Sequence, residues 1–297
     1  MTARREPHPA FPTIAHLEEA LREQDYLADH GLATALFLAL GMRRPLLLEG
    51  EAGVGKTEVA KTLTRLLGGE LVRLQCYEGI DASQAIYEWD YSRQLLYARA
   101  SHELQRDPRL SVGELYRPEF LLERPLLRAI KAGSRAVLLI DELDRADDEF
   151  EAFLLEILSD YAVTIPEVGT ISAESPPVVV ITSNRTRELH DALKRRCLYH
   201  WIDFPTLERE VEIIRLRVPD ASEELAVSVA TAVARLRELD LVKHPGVAEA
   251  IDWTAALALV GARGVDADVA QSTIGSVVKN REDAERATAA LIETVHD

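Results

Sequence analysis

The sequence predicts an α/β fold, a parallel sheet with helices on both faces, followed by an all-helical region. Three observations lead to it. Pro45-Leu46-Leu47-Leu48-Glu49, Ala136-Val137-Leu138-Leu139-Ile140 and Val178-Val179-Val180-Ile181-Thr182 are short apolar runs, each followed by polar residues. Runs without polar alternation mark strands covered on both faces, as in parallel sheets. The first run leads into Gly50-Glu51-Ala52-Gly53-Val54-Gly55-Lys56-Thr57 and then a helical pattern, the strand–turn–helix order of a βαβ unit. Past Pro205 the strand pattern stops and only helical spacing continues, which marks a domain boundary there.

In chain order, residues 1–12 carry three prolines without periodicity and read as a disordered start. His16 to Ala39 is helical, broken near Asp29-His30-Gly31. Thr57 to Leu67 places Val59, Ala60, Leu63, Leu66 and Leu67 on one face, and Gly68-Gly69 ends it. Glu70 to Gln75 reads as a strand. Asp81 to Ala100 reads as mostly helical and carries Tyr87, Trp89, Tyr91 and Tyr97, either core aromatics or a working surface. His102 to Pro118 is polar and irregular. Pro118 to Ala132 is helical, with Pro125 bending it or starting a second helix.

After the Ala136 run comes Asp141-Glu142, then a helix with Phe150, Phe153, Leu154, Ile157, Leu158 and Tyr161 at helical spacing. Asp147, Asp148 and Glu149 begin it, where the helix dipole favours acids. Val163 to Ile171 reads as a β-hairpin around Pro166-Glu167-Val168-Gly169. The Val178 strand ends at Ser183-Asn184. A short helix at Leu189 to Arg196 and a strand at His200 to Phe204 follow. Helices are expected at Thr206–Val218, Glu223–Leu239, Val247–Val260 and Glu282–Val295. The expected domains are an α/β domain over 13–205 and a helical domain over 206–297.

The 297 residues allow one large or two ordinary domains, and 47% hydrophobic content is globular. No apolar run approaches the ~20 residues of a membrane helix, and the start lacks the apolar core of a secretory signal. Cys76 and Cys197 are a single distant pair, which gives no disulfide framework and no metal spacing, so reduced thiols in a cytoplasmic setting are expected. The formal charge of −16 repels phosphate backbones, which argues against a general nucleic-acid binder.

The chemistry gathers at few points. Gly50 to Thr57 satisfies the phosphate-loop pattern at every fixed position. Its glycines let successive N–H groups converge on one anion. Glu51, Ala52 and Val54 complete the loop, and Glu58 follows it in the first helical turn. Lys56 can reach the β- and γ-phosphates of a nucleotide, and the Thr57 hydroxyl can bind Mg²⁺. Asp141 stands where a phosphate-loop enzyme holds Mg²⁺, and Glu142 can serve as general base toward a water. Asn184 ends a neighbouring buried strand, where its amide can both donate and accept. Lys194-Arg195-Arg196 ends a short helix, as a dipole-paired terminus or as an arginine finger reaching a neighbour's γ-phosphate.

In this order the motifs resemble the AAA+ ATPases. GEAGVGKT resembles Walker A, AVLLIDE Walker B, ITSN sensor 1, and ALKRRC the finger segment. DELDRADDEFEAFLLEIL with the following hairpin is similar to the MoxR branch. SNRTRELHDALKRRCLYHWIDFP is similar to its CoxD-like group. The resemblance implies strand order 5-1-4-3-2, a helix-two insertion, a hairpin ahead of sensor 1 and a helical lid. It implies ATP and Mg²⁺, with Lys56, Glu142, Asn184 and Arg196 catalytic, Arg196 fitting the finger better than Arg195, and Thr57 and Asp141 at the metal. It also implies a homo-oligomeric, hexameric ring, a von Willebrand A-domain partner, and a metalloenzyme client such as molybdenum-containing carbon monoxide dehydrogenase. A DNA-acting or transcriptional motor and a small-molecule kinase are the rival readings. Where the branch carries a sensor-2 arginine, this chain offers Trp253, so coupling of the lid to nucleotide either differs or uses Arg263 or another residue.

Overall fold

A computed structural model describes residues 7–103 and 112–293, with side chains described for 7–100, 113–292. The chain divides into two compact units. The first comprises residues 1–17, 30–48 and 60–200; the second comprises 18–29, 49–59 and 201–297.

The main sheet joins β1 (Leu46–Gly50), β2 (Glu70–Gln75), β5 (Ala136–Asp141), β8 (Val178–Ser183) and β9 (Leu198–Ile202) in the order β2-β5-β8-β1-β9. Read from the other edge, this is the expected 5-1-4-3-2. β5 is buried at all six positions and pairs in parallel with β2 on one side and β8 on the other. That position explains its continuous apolar run: it has no solvent face for a polar residue. Two small antiparallel ribbons complete the strands among the described residues, β3 (Tyr87–Trp89) with β4 (Leu121–Glu123) and β6 (Ala162–Ile165) with β7 (Gly169–Ser172).

The helices of the first unit include α1 (Ile14–Glu23, shared with the second unit), α2 (His30–Met42), α3 (Lys56–Leu67), α4 (Ala82–Ala85), α5 (Tyr91–Glu103), α6 (Pro125–Ala132), α7 (Asp148–Asp160) and α8 (Asp191–Lys194). Residues 56–59, the start of α3, group with the second unit. The Asp147 carboxylate caps α7 by accepting from the Phe150 amide at 2.9 Å, which satisfies one of the free N–H groups of its first turn. The core of this unit gathers Leu127, Leu138, Ile140, Leu154, Ile165 and Ile181 about the sheet.

The segment between β2 and β5 departs from the sequence reading. Asp81 to Ala100 is not one helical stretch: it breaks into α4, β3 and α5. Pro118 to Ala132 likewise contains β4 before α6, and Pro125 starts that helix rather than bending it. Trp89 and Leu121 pair across more than thirty residues, so no local periodicity announces the ribbon. The aromatics divide accordingly. Trp89 is buried edge-to-face against Tyr116, Tyr97 packs on Phe120, and Tyr87 is half-buried beside Trp89. Tyr91 alone of the four is exposed. Of the stretch His102 to Pro118 read as irregular, 104–111 lie outside the described residues, as do residues 1–6 of the disordered start; His102 and Glu103 end α5, and Val112–Tyr116 forms a 3₁₀ helix rather than irregular chain. Phe11, inside that start, is buried and its ring stacks on His8, so the described part of the start does not follow the disordered reading. The strand expected at His200 to Phe204 begins two residues earlier, at Leu198.

In the second unit, α9 (Leu207–Arg217), α10 (Glu223–Glu238), α11 (Val247–Leu259), α12 (Ala267–Thr273) and α13 (Arg281–Glu293) enclose a core of Val229, Val233, Leu236, Trp253, Leu257 and Val277. Four of these helices lie where helical spacing places them; α12 was not foreseen, being short and cut off by the Gly264 turn region before it. Within this core runs a buried ion pair. Arg237 donates to both oxygens of Glu210 at 2.7 Å and to the Pro245 carbonyl at 2.8 Å, with its guanidinium 4.2 Å from the Phe204 ring centre. Removing one partner of such a pair strands a buried charge at a cost of about 3–5 kcal/mol. Arg237→Ala is therefore expected to destabilise the helical unit by that amount in chemical denaturation, and a loss below about 1 kcal/mol would contradict the pairing.

Candidate functional site

The phosphate loop belongs to the second unit, together with the helices of residues 201–297. Two features shape it. The Lys56 ammonium curls back and donates to the Gly50 and Glu51 carbonyls at 2.6 Å each, which places its charge inside the bend of the loop. Gly53 has φ of +81°, and a Cβ on it would lie 2.8 Å from Gly246 Cα. Only glycine permits that backbone and that approach. The start of α11 is thus fixed to the loop: the Val247 amide donates to the Gly53 carbonyl at 3.0 Å, and the Glu249 carboxylate accepts from the Gly246 amide at 3.0 Å. Lys243 stands 3.5 Å from Glu249.

Trp253 plays no part in this contact. It is fully buried in the helical core, and its indole N–H donates to the Thr273 hydroxyl at 2.9 Å. The helix meets the loop through Gly246, Val247 and Glu249, two turns before Trp253. A small residue and a helix start gave no signal of this kind in the sequence.

The first unit holds the acid pair at the end of β5. Asp141 is 2% exposed. The Thr182 hydroxyl donates to its Oδ1 at 2.6 Å, and Arg73 donates to its Oδ2 from Nε at 2.9 Å and Nη2 at 2.6 Å. Thr182 also accepts from the Glu142 amide at 2.9 Å, so one buried hydroxyl ties both acids to β8. Glu142 has φ of +54° and ψ of 50°, a left-handed backbone that turns its side chain out of the strand path. Such conformations cost of order 1–3 kcal/mol and gather at functional sites. Gln75 donates to Glu142 Oε2 at 3.1 Å, and Arg145 approaches the same oxygen at 3.4 Å.

The local field is negative. Burial pushes the Cys76 thiol up to about 12, with the charges of Asp141, Asp144 and Glu142 adding to the shift. Asp144 is itself buried, accepting from the Thr186 amide at 2.9 Å and hydroxyl at 2.7 Å. Asn184 follows β8 directly and is partly exposed.

The Arg195–Arg196 segment is held by its backbone. The Arg44 guanidinium donates to the Arg195 carbonyl at 2.7 Å and to those of Arg196 and Cys197 at 3.1 Å. Arg196 donates from Nη1 to the Leu155 carbonyl at 2.6 Å. Arg195 is exposed and makes no side-chain hydrogen bond among the described residues. Arg73, Gln75, Thr182 and Arg44 were all missed from the sequence. Only Thr182-Ser183-Asn184 at the end of the Val178 strand marked a polar strand end, and the arginines carry no motif.

The AAA domain (dynein-related subfamily) profile matches residues 45–197, slightly more than half of the chain. The chain belongs to this AAA family. That span contains the phosphate loop, the acid pair, Asn184, Arg195 and Arg196. No curated protein matches the chain. Solved structures of RuvB from Thermotoga maritima are similar to it. One, described as a Holliday junction branch migration motor, is 18% identical, with 88% of this chain and 66% of that chain covered at a TM-score of 0.46. A second, a point variant, is 18% identical, with 91% and 72% covered at a TM-score of 0.49. The chain spans just under two thirds of the length of the first. Among the described residues, no helix is long and apolar enough to cross a membrane.

The donor set fits a nucleotide phosphate: a buried ammonium inside a glycine loop, at the start of a helix, where free N–H groups favour an anion. The glycine approach gives a direct test. Gly246→Ala would place a Cβ 2.5 Å from Gly53 Cα, whereas a Cβ on Gly275 meets nothing within 4 Å. Gly246→Ala is expected to cost about 1–3 kcal/mol and to speed hydrogen exchange of the Val247 amide, while Gly275→Ala leaves that amide unchanged. Equal exchange in the two variants would contradict the contact.

Proposed function

We propose that this AAA family member is an ATPase that couples ATP hydrolysis to remodelling of a protein client, of the MoxR type and within it the CoxD-like group. The observation that carries the hydrolytic reading is the buried Lys56 ammonium held inside the glycine loop at the start of α3. Lys56 binds the β- and γ-phosphates, and the loop amides from Gly50 to Thr57 share the negative charge. The Thr57 hydroxyl and Asp141 would hold Mg²⁺, which neutralises phosphate charge when bound. Glu142 takes a proton from the attacking water, and Asn184 orients that water or the γ-phosphate. Glu58 lies in the first turn of α3, directly after the loop in sequence.

Lys56→Ala is expected to abolish nucleotide binding, because the loop loses its buried cation. Glu142→Gln is expected to retain binding and lose most hydrolysis, because an amide cannot accept the proton. Calorimetry reads the first and phosphate release the second. Equal loss of binding in both variants would overturn the assignment of roles.

The finger requires a ring. In a homo-oligomer, hexameric by resemblance, an arginine acting across a subunit boundary raises turnover by about 10³–10⁵. Arg196→Ala is expected to bind ATP and hydrolyse it slowly, and mixing it with Glu142→Gln restores part of the activity. Wild-type turnover in Arg196→Ala with loss in Arg195→Ala would move the finger to Arg195, whose exposed side chain suits that role. Loss in neither would leave the segment as a capped helix end.

The client reading rests on sequence resemblance and on charge. A formal charge of −16 disfavours a DNA track and leaves a protein substrate. The resemblance points to a von Willebrand A-domain partner and to a molybdenum hydroxylase such as carbon monoxide dehydrogenase, completed by insertion or activation of its cofactor. Metal content and activity of that hydroxylase, purified from a deletion strain, test the role; a fully loaded and active enzyme would reject it.

A further inference from the structure

Asp141 has two oxygens, and both are engaged inside the first unit. Oδ1 accepts from Thr182, and Oδ2 accepts two N–H bonds from Arg73. Thr182 is neutral, almost fully buried, and bound in turn to the Glu142 amide, so it is fixed in place. Arg73 differs on each count. It is a cation, its side chain is 51% exposed, and it reaches Asp141 across the β2–β5 pairing, where its own partner in register is Leu139. Its remaining contact is to Gln75 Oε1 at 2.5 Å, on the same strand and the same face.

We propose that Arg73 is a displaceable counter-cation for Asp141, a positioning residue that competes with the divalent cation for the same carboxylate oxygen. The proposal rests on the reading of Asp141 as a cation ligand. A buried carboxylate without a positive partner carries a large desolvation cost, and Arg73 offsets it by two charge-assisted hydrogen bonds to one oxygen. A divalent cation, or a water it orders, needs that oxygen. The guanidinium can leave because half of its side chain already faces solvent and water replaces its lost bonds. Thr182 remains on Oδ1 and keeps the carboxylate aimed. Cation binding at Asp141 therefore includes the work of moving Arg73, which lowers apparent cation affinity. Because Arg73 also holds Gln75, and Gln75 donates to Glu142, its departure frees the residue that touches the proposed general base.

The direction of the effect separates this from a supporting role. If Arg73 merely braced the site, its loss would weaken cation binding. As a competitor, its loss strengthens it. The experiment measures Mn²⁺ binding to the full-length protein with saturating ADP, by the electron paramagnetic resonance signal of free Mn²⁺, without turnover. Arg73→Gln is expected to tighten Mn²⁺ binding by roughly tenfold, the scale of a hydrogen bond to a charged group. Arg73→Lys keeps the charge with a single point of contact and is expected to fall between the two. Should Arg73→Gln fail to fold, an Arg73→Lys affinity above wild type supports the same conclusion, and one equal to or below it overturns it. Asp141→Asn separates the proposal from the reading beneath it. If Asp141→Asn weakens Mn²⁺ binding while the Arg73 variants leave it unchanged or weaker, the competition is rejected and the cation site stands. If Asp141→Asn leaves Mn²⁺ binding unchanged, both are rejected.

Discussion

The buried carboxylate of Asp141 sets the terms for everything around it. A charge at the end of a fully covered strand must find donors within the protein, because the strand leaves no route to bulk water. The fold supplies them from both neighbours: Arg73 from β2 and Thr182 from β8. Parallel pairing on both sides of β5 is what brings a guanidinium and a hydroxyl to the same carboxylate. The hydroxyl then reaches further, since it also accepts from the Glu142 amide and so holds the left-handed turn that aims the second acid. Strand order, burial and acid geometry are thus one problem with one solution.

Much of this was legible in the residues. Strands covered on both faces write themselves as apolar runs, and β1, β5 and β8 were read from theirs. The phosphate loop is local in sequence, so its pattern survives without knowledge of the fold. Helix α7 announced itself through the spacing of Phe150, Leu154, Ile157 and Leu158 and through the acids at its start. What failed to show were features made by pairing between distant residues. The β3–β4 ribbon interrupts two stretches that looked helical, because the pairing of Trp89 with Leu121 overrides local preference. Arg73 sits in a half-exposed strand like many surface arginines, and only the β2–β5 register carries it to Asp141. Arg44 likewise binds three carbonyls some 150 residues away in the chain.

The second unit shows a different economy of parts. The family resemblance implies an arginine in the helical region, and Trp253 stands near the expected place. Its burial puts it in the core instead. The helical region meets the loop by two glycines in close approach and one amide–carbonyl bond. Backbone contact of this sort transmits a shift of the loop directly to α11, without a long side chain between them. A carboxylate, Glu249, closes the helix start, with Lys243 beside it. Any movement of the loop that accompanies phosphate binding must be accommodated at Gly246.

In the proposed function, the loop from Gly50 to Thr57 holds the phosphates of a nucleotide through its backbone. Hydrogen–deuterium exchange read at single amides, with and without ATP, tests this. Exchange is expected to slow at the loop amides from Gly53 to Thr57, because N–H groups that converge on phosphate cannot exchange freely. Unchanged exchange across the loop at saturating ATP would contradict it.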